Sequence, residues 1–174
     1  MPLSIIVANV LLYQIGWFAA VLGAARGWPW LGVAVLAAVV AVHLVRARAP
    51  ARELALLTLA FAIGAVFETL MVQAGLMRFH GGALLAGTAP VWMVALWASF
   101  ATTLNVSLRA LHGRLIAASL LGAVGAPLAY YAGQKLGAVQ MVDAGAALAV
   151  VAAGWALLTP LLFLAARRLD GYAR

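Results

Sequence analysis

The sequence predicts an all-α fold: a bundle of six transmembrane helices forming one integral membrane domain over residues 1–174. Two observations predict it. Of the residues, 67% are hydrophobic and only 9% are charged, which is more apolar surface than a soluble domain of this size can bury. The apolar residues also fall into six runs, each close to the roughly 20 residues that cross a bilayer as a helix. These runs leave no room for a separate soluble domain.

The first two runs predict helices at about 3–25 and 29–45. The N-terminal run has no preceding positive charge and is longer than the apolar region of a secretory signal, so we expect it to be retained as a helix. Trp28 lies in the connection between these two helices and Trp30 follows it, so both suit anchoring at the membrane interface. Pro29 suits the first turn of a helix, where its missing N–H is not needed.

The third run predicts a helix at about 54–74, and it carries Glu68, the only acid within any apolar run. The basic loop before it ends at Glu53. An ionisable group at membrane depth is costly and usually marks a functional site. Glu68 is therefore the leading candidate, and a structural hydrogen bond between helices is the alternative.

The glycine-rich segment 75–90 separates the third helix from the remaining ones, predicted at about 91–111, 115–131 and 144–166. A connection of this length in a small protein is often functional. It is expected to lie on the membrane surface or to re-enter the membrane, which requires that protein or water cover its backbone.

Helix 5 carries small residues at a spacing of four, namely Gly125, Ala129, Gly133 and Gly137. In lipid, such residues let helix backbones approach closely. The spacing therefore predicts that helix 5 is central in the bundle.

Basic residues predict the orientation. Eight arginines lie after helices 2, 4 and 6, whereas three basic residues lie in the other connections. Cytoplasmic loops carry the excess of Lys and Arg, so both termini are expected in the cytoplasm. Because the arginines occur singly or in small groups between apolar runs, we expect no nucleic-acid binding despite the net charge of +7.

Polar and aromatic side chains gather in the middle and outer half of the predicted bundle when each helix is built with about 1.5 Å and 100° per residue. They predict an outer-half cavity lined by aromatic rings, with Glu68 at its floor. The candidate ligand-binding residues are Glu68, Tyr130, Tyr131, Gln134, Gln14, Trp17, Trp92 and Ser99. The alternatives are interface anchoring for the tryptophans, contacts between helices for Ser99, and an interfacial helix end for Gln134.

Several site classes are disfavoured. The chain has no cysteine, so it has no disulfide and no thiol nucleophile. His43 and His112 lie at helix ends beside arginines, where solvated imidazoles are expected rather than haem ligands. No motif of a soluble enzyme occurs. We therefore predict no metal and no cofactor, and no catalytic residue can be assigned.

Three motifs carry a resemblance to a known family. They are Asn9-x-x-x-Tyr13-Gln14-x-x-Trp17, Pro90-x-Trp92-x-x-x-Leu96-Trp97-x-x-Phe100 and Gly122-x-x-Gly125-x-Pro127-x-x-Tyr130-x-x-Gly133. In this order the chain resembles, over nearly its whole length, a family of small bacterial inner-membrane proteins of uncharacterised function. The resemblance implies an inner-membrane location. It also implies a genomic neighbourhood with cyclopropane-fatty-acid-synthase-like enzymes, and hence a role in lipid modification or envelope upkeep.

Three functional hypotheses follow. The first is binding or transport of a lipid-like or small amphipathic molecule near Glu68. The second is a membrane-embedded enzyme or enzyme subunit in fatty-acyl or lipid modification, with Glu68 as general acid or base. The third is a membrane scaffold for a partner protein. The expected partners are membrane lipids and a lipid-modifying enzyme. A second copy of the chain is a further expected partner, because six helices leave a transporter little room for alternating access.

Overall fold

The computed structural model describes residues 2–173. The bounds of its helices are α1 Leu3–Ala25, α2 Pro29–Arg46, α3 Pro50–Gln73, α4 Val91–Leu104, α5 Leu115–Lys135 and α6 Ala144–Arg168. All of these except α4 are long and apolar enough to cross a bilayer. The predicted all-α fold is confirmed, and the five long apolar helices indicate a multi-pass membrane protein.

Helix α4 is shorter than predicted, because it ends at Leu104 instead of near residue 111. Its 14 residues extend about 21 Å, less than the roughly 30 Å of a bilayer's hydrocarbon core. Beyond Leu104 the chain turns and forms a short 3-10 helix. The Arg109 guanidinium donates to the Asn105 carbonyl at 3.1 Å, and His112 Nε2 donates to the Leu104 carbonyl at 3.0 Å. These side chains satisfy carbonyls at the helix end. Because α4 is this short, the predicted sixth full span is not confirmed.

Helix α3 begins earlier than predicted, at Pro50 instead of near residue 54. Pro50 occupies the first turn, where it is well tolerated, and Glu53 follows in the same turn, where the helix dipole favours an acid. The side chain of Glu53 is fully buried. The sequence predicted that this glutamate ends a basic loop, so that prediction was wrong.

The helices pack as three pairs, α1 with α2, α3 with α4 and α5 with α6, and α4 also contacts α1, α2 and α6. Most residues of α4 are buried, so α4 is the central helix and protein surrounds it on nearly every side. Helix α5 instead packs mainly on α6 and exposes much of its surface. The prediction of a central helix 5 was therefore wrong.

A two-stranded sheet joins the connections at one end of the bundle, which we call the sheet end. Strand β1 (Met77–Phe79) pairs antiparallel with β2 (Val139–Met141). After β1, the carbonyls of His80 and Gly81 accept hydrogen bonds from Trp92 Nε1 at 3.2 and 3.3 Å. The glycine-rich segment is thereby fixed to α5–α6 through the sheet and to the start of α4 through the indole.

The opposite end, which we call the basic end, consists of the α2–α3 turn, residues 105–114 and the segment after α6. Most arginines of the chain lie in or beside these segments. Ile5 in α1 and Tyr172 after α6 line the same small hollow there. The first turn of α1 and the segment after α6 thus lie at the same end of the bundle.

Candidate functional site

A cavity of about 350 Å³ lies between α1 and α4 on one side and α5 and α6 on the other. Along α1 its wall runs from Val10 to Val21, about 16 Å of helix axis. Along α5 it runs from Leu121 to Gly133, about 18 Å. The cavity is therefore elongated along the helices.

Aromatic side chains form a third of the residues that line the cavity. They are Tyr13, Trp17, Phe79, Trp92, Trp97, Phe100, Tyr130 and Trp155. The rings of Trp97 and Trp155 stack with centroids 4.1 Å apart, and Phe100 meets Trp155 edge-on at 5.3 Å. In the part of the chain that the structure describes, no Lys, Arg, His, Asp or Glu lines the cavity. Its wall thus consists of apolar groups, ring faces and a few neutral polar side chains.

Glu68 lies behind this wall and is fully buried. Its Oε1 accepts a hydrogen bond from Trp97 Nε1 at 2.8 Å and a second one from the Tyr130 hydroxyl. Among residues 2–173, no group forms a hydrogen bond with its Oε2. Because both donors belong to side chains that line the cavity, the carboxylate is coupled to the cavity through two aromatic rings.

Gly64 makes room for this arrangement. It lies one turn before Glu68 on α3, and a Cβ there would be 2.6 Å from Cδ1 of Trp97, closer than real contacts allow. The indole therefore lies against the backbone of α3, where its Nε1 reaches Glu68. The Trp97 ring thus fills the space that Gly64 leaves beneath the carboxylate.

The small residues of α5 form part of the cavity wall. Gly125, Ala129 and Gly133 line the cavity, and a Cβ at Gly125 would meet a single side-chain atom at 3.9 Å. The close contact of α5 with α6 depends instead on Gly122, since a Cβ there would overlap the Trp155 carbonyl oxygen. Small residues spaced four apart thus do not distinguish a packing face from a cavity wall.

Three further candidate residues line the cavity together with Tyr130, namely Gln14, Trp17 and Trp92. Gln14 is exposed on α1 and Trp17 is half-buried. Trp92 is buried and holds the segment after β1, as described above.

The remaining three candidates do not line the cavity. Tyr131 is exposed, and the Lys135 ammonium lies 5.2 Å above its ring. Gln134 Oε1 accepts a hydrogen bond from the Met141 backbone N–H at 3.2 Å, which fixes β2 to the end of α5. Ser99 is fully buried, and its Oγ has no hydrogen-bond partner within the described chain.

Trp97 and Trp155 line the cavity but are not among the candidates from the sequence, which include only Trp17 and Trp92 of the six tryptophans. Trp28 and Trp30 are exposed at the sheet end and suit anchoring at the membrane interface. Trp97 and Trp155 are buried near the midpoints of α4 and α6. That position was the available signal, since interface anchors lie near helix ends.

A second buried carboxylate, Glu53, lies at the basic end. Its Oε2 accepts from His43 Nε2 at 2.8 Å, and its Oε1 accepts from Asn105 Nδ2 at 2.8 Å and from the Gly171 N–H at 2.7 Å. The Tyr172 hydroxyl donates to the His43 carbonyl at 2.6 Å. His43 is only 4% exposed, so the expectation that it is solvated was wrong. One carboxylate thus ties together α2, α3, the end of α4 and the segment after α6.

Both histidines that the haem hypothesis considered are engaged with protein groups. His43 contacts Glu53, and His112 donates to the Leu104 carbonyl. Desolvation by burial lowers the pKa of His112 below its usual value, and the nearby Arg109 adds to this effect. Over residues 2–173, no group of three or more potential metal-ligating side chains occurs.

Comparison with known proteins identifies a family. The family model described as a protein of unknown function (DUF2878) matches residues 6–161, most of the chain. No curated protein and no solved structure matches. The matched range includes every residue named above as lining the cavity.

Proposed function

This chain belongs to the DUF2878 family of proteins of unknown function, and we propose that it binds a lipid-like or small amphipathic molecule in the cavity beside Glu68. The observation that carries the proposal is the elongated, aromatic-lined cavity itself. Its volume of about 350 Å³ lies within the range of small-molecule sites, roughly 300–1,000 Å³. A long space without charged side chains in its wall favours an apolar chain as occupant.

The route of entry follows from the exposure of the wall. Val10 and Gln14 on α1, and Leu121 and Gly125 on α5, line the cavity and are also exposed at the surface of the bundle. In a membrane, that surface faces lipid. An amphiphile therefore enters sideways from the bilayer, and the Gln14 amide can form a hydrogen bond with its polar group.

Native mass spectrometry with lipidomics tests the proposal on wild type, Ala129→Leu and Ala153→Leu in mild detergent. Ala129 lines the cavity, whereas Ala153 is an exposed alanine of α6 outside it. Wild type and Ala153→Leu are expected to retain one amphiphile that Ala129→Leu loses. Retention of the same molecules by all three proteins, or of bulk lipid alone, contradicts the proposal.

The proposal includes a membrane orientation, with the basic end in the cytoplasm of a bacterium and the sheet end on the outer side of the inner membrane. The excess of arginine at the basic end supports it. A lipid-modifying enzyme, the partner that the family resemblance implies, would then reach the protein from the cytoplasm or within the membrane.

The orientation has a direct test, because the chain has no cysteine. Leu85→Cys at the sheet end and Ala173→Cys at the basic end place single thiols at exposed positions. In spheroplasts, an impermeant maleimide is expected to label Leu85→Cys, and Ala173→Cys only after permeabilisation. The reverse pattern contradicts the orientation.

A further inference from the structure

We propose that the cavity selects a positively charged amphiphile, an alkyl chain that ends in an ammonium group, over neutral or anionic amphiphiles of the same chain length. This inference rests on the proposed function and names the ligand class. It comes from one juxtaposition: aromatic rings line the cavity, a buried carboxylate lies directly behind two of them, and no cationic side chain of the described residues is in the wall.

The distribution of charge is the first argument. The chain has a net charge of +7, yet no cationic side chain among residues 2–173 lines the cavity. Glu53 and Asp170 are paired with a histidine and an arginine, and Asp143 caps the first turn of α6. Glu68 is the remaining acid, and it is the one bonded to cavity side chains. An ionised Glu68 therefore gives the region behind the cavity wall a charge opposite in sign to that of the whole protein.

The incomplete pairing of Glu68 is the second argument. Its two donors, Trp97 and Tyr130, are neutral groups on the same oxygen. The other oxygen has no hydrogen-bond partner, and no basic side chain of the described residues pairs with it. A buried charge is costly unless a counter-charge compensates it. An ammonium group in the adjacent cavity supplies that counter-charge in a region where electrostatic interactions are strong.

The aromatic wall is the third argument. The face of an aromatic ring carries negative electrostatic potential, and it attracts an ammonium group within about 6 Å of the centroid. Aromatic cages are a recurrent solution for quaternary ammonium ligands. Both the ring faces and the Glu68 carboxylate would repel an anionic head group. The wall and the carboxylate thus favour the same sign of charge, and the apolar remainder of the cavity suits the alkyl chain.

The test compares decyltrimethylammonium, decanol and decanoate binding to the full chain in nanodiscs of zwitterionic lipid. Intrinsic fluorescence is a suitable readout, since Trp17, Trp92, Trp97 and Trp155 line the cavity. Glu68→Gln preserves the side-chain shape and removes the charge. It is expected to weaken the binding of decyltrimethylammonium about tenfold, which corresponds to about 1.4 kcal/mol. The binding of decanol is expected to weaken less than about twofold. Because both proteins are in the same nanodiscs, partitioning of each probe into lipid cancels.

A second variant acts in the opposite direction and does not depend on Glu68. Gln14→Lys places a cation in the wall at a position that is already polar and exposed. It is expected to weaken the binding of decyltrimethylammonium and to strengthen the binding of decanoate. A decylphosphocholine arm separates two sources of the ammonium group. Weaker binding than that of the cation is expected, because the phosphate offsets the positive charge, and it indicates a free ammonium amphiphile. Binding equal to that of the cation would show that net positive charge is not selected and would overturn the inference.

The failure of this inference is distinguishable from that of the proposed function. If Ala129→Leu weakens all probes but neither Glu68→Gln nor Gln14→Lys changes their ratios, the cavity binds amphiphiles without selecting charge, and the inference is overturned. If Ala129→Leu affects no probe, the cavity is not the binding site and both fail.

Discussion

Glu53 and Glu68 are fully buried on the same helix, about 22 Å apart along its axis, yet their surroundings differ. Glu53 has donors on both oxygens, and one of them is a histidine. Glu68 has two neutral donors on one oxygen and none on the other within the described chain. Glu53 joins chain segments, whereas Glu68 lies behind the wall of a cavity and bonds to two side chains that line it.

This difference teaches that burial alone does not define the role of an acid. A carboxylate whose oxygens are saturated by protein donors has no capacity left for a ligand, and its removal leaves those donors unpaired. A buried carboxylate without a counter-charge can instead interact electrostatically with a cationic ligand in an adjacent cavity. The contacts indicate a stabilising role for the Glu53 cluster, which comprises Glu53, His43, Asn105, Gly171 and Tyr172, and ligand binding at Glu68 is our proposal. The following predictions rank variants of both sites by the expected loss of stability.

The largest loss of stability is expected for Glu53→Ala. It leaves the Nε2 of His43, the amide of Asn105 and the N–H of Gly171 without their acceptor, and breaking a buried pair of this kind costs about 3–5 kcal/mol. Glu68→Ala leaves two donors unpaired, so a smaller loss of about 1–3 kcal/mol is expected. Thermal unfolding of both variants in the same detergent measures the order, and a larger loss for Glu68→Ala would contradict the comparison.

Gly171→Ala is expected to have the next largest effect. A Cβ there would lie 2.6 Å from the Ala49 carbonyl oxygen and 2.7 Å from Cγ of Glu53, so the segment after α6 must shift, at about 1–3 kcal/mol. The control is Gly125→Ala, whose Cβ would meet one side-chain atom at 3.9 Å. Because alanine favours a helix, the control is expected to be neutral or stabilised by about 0.5–1 kcal/mol. Equal melting temperatures for the two variants would contradict the close packing of the segment after α6 against Ala49 and Glu53.

The sequence predicted the parts of the molecule that depend on local patterns. Long apolar runs located α1, α2, α5 and α6 closely, and a lone acid in an apolar run selected Glu68. Local patterns did not reveal Glu53, because its burial depends on an amide and a backbone N–H from distant segments. They also did not reveal where α4 ends, since the residues after Leu104 remain partly apolar while Arg109 and His112 close the helix.

The same limit applies to the site. Tyr130 and Trp92 are ligand-binding candidates from the sequence, and both line the cavity. Trp97 was missed, because its position depends on Gly64 of another helix. Contacts between helices of this kind have no signature in a single segment. A tryptophan at mid-helix together with a glycine and an acid one turn apart is the pattern that could have indicated them.

Tyr172→Phe tests the outer part of the Glu53 cluster. It removes the hydrogen bond to the His43 carbonyl, and the expected loss is about 0.5–1.5 kcal/mol. Desolvation raises the pKa of Tyr172 from 10.0 to about 12, and the Glu53 carboxylate adds to the rise. The unfolded chain therefore loses this proton at lower pH than the folded protein, so stability falls as the pH rises from 10.0 to about 12.

Melting temperatures across this pH range measure the effect, with Tyr131→Phe as the control on an exposed tyrosine. Wild type and Tyr131→Phe are expected to lose stability as the pH rises through this window, and Tyr172→Phe is expected to lose less. An identical alkaline decline in all three proteins would show that Tyr172 does not contribute to it.

The smallest loss of stability is expected for Glu68→Gln, within about 1 kcal/mol, because the amide oxygen still accepts from Trp97 and Tyr130 while the uncompensated buried charge disappears. Decyltrimethylammonium should raise the melting temperature of wild type, since a ligand that binds the folded state stabilises it, and should raise that of the variant less. A loss comparable to that of Glu53→Ala would instead indicate that Glu68 is a structural link between α3, α4 and α5. In that case, the two buried glutamates would share a structural role, and the contrast between them would fail.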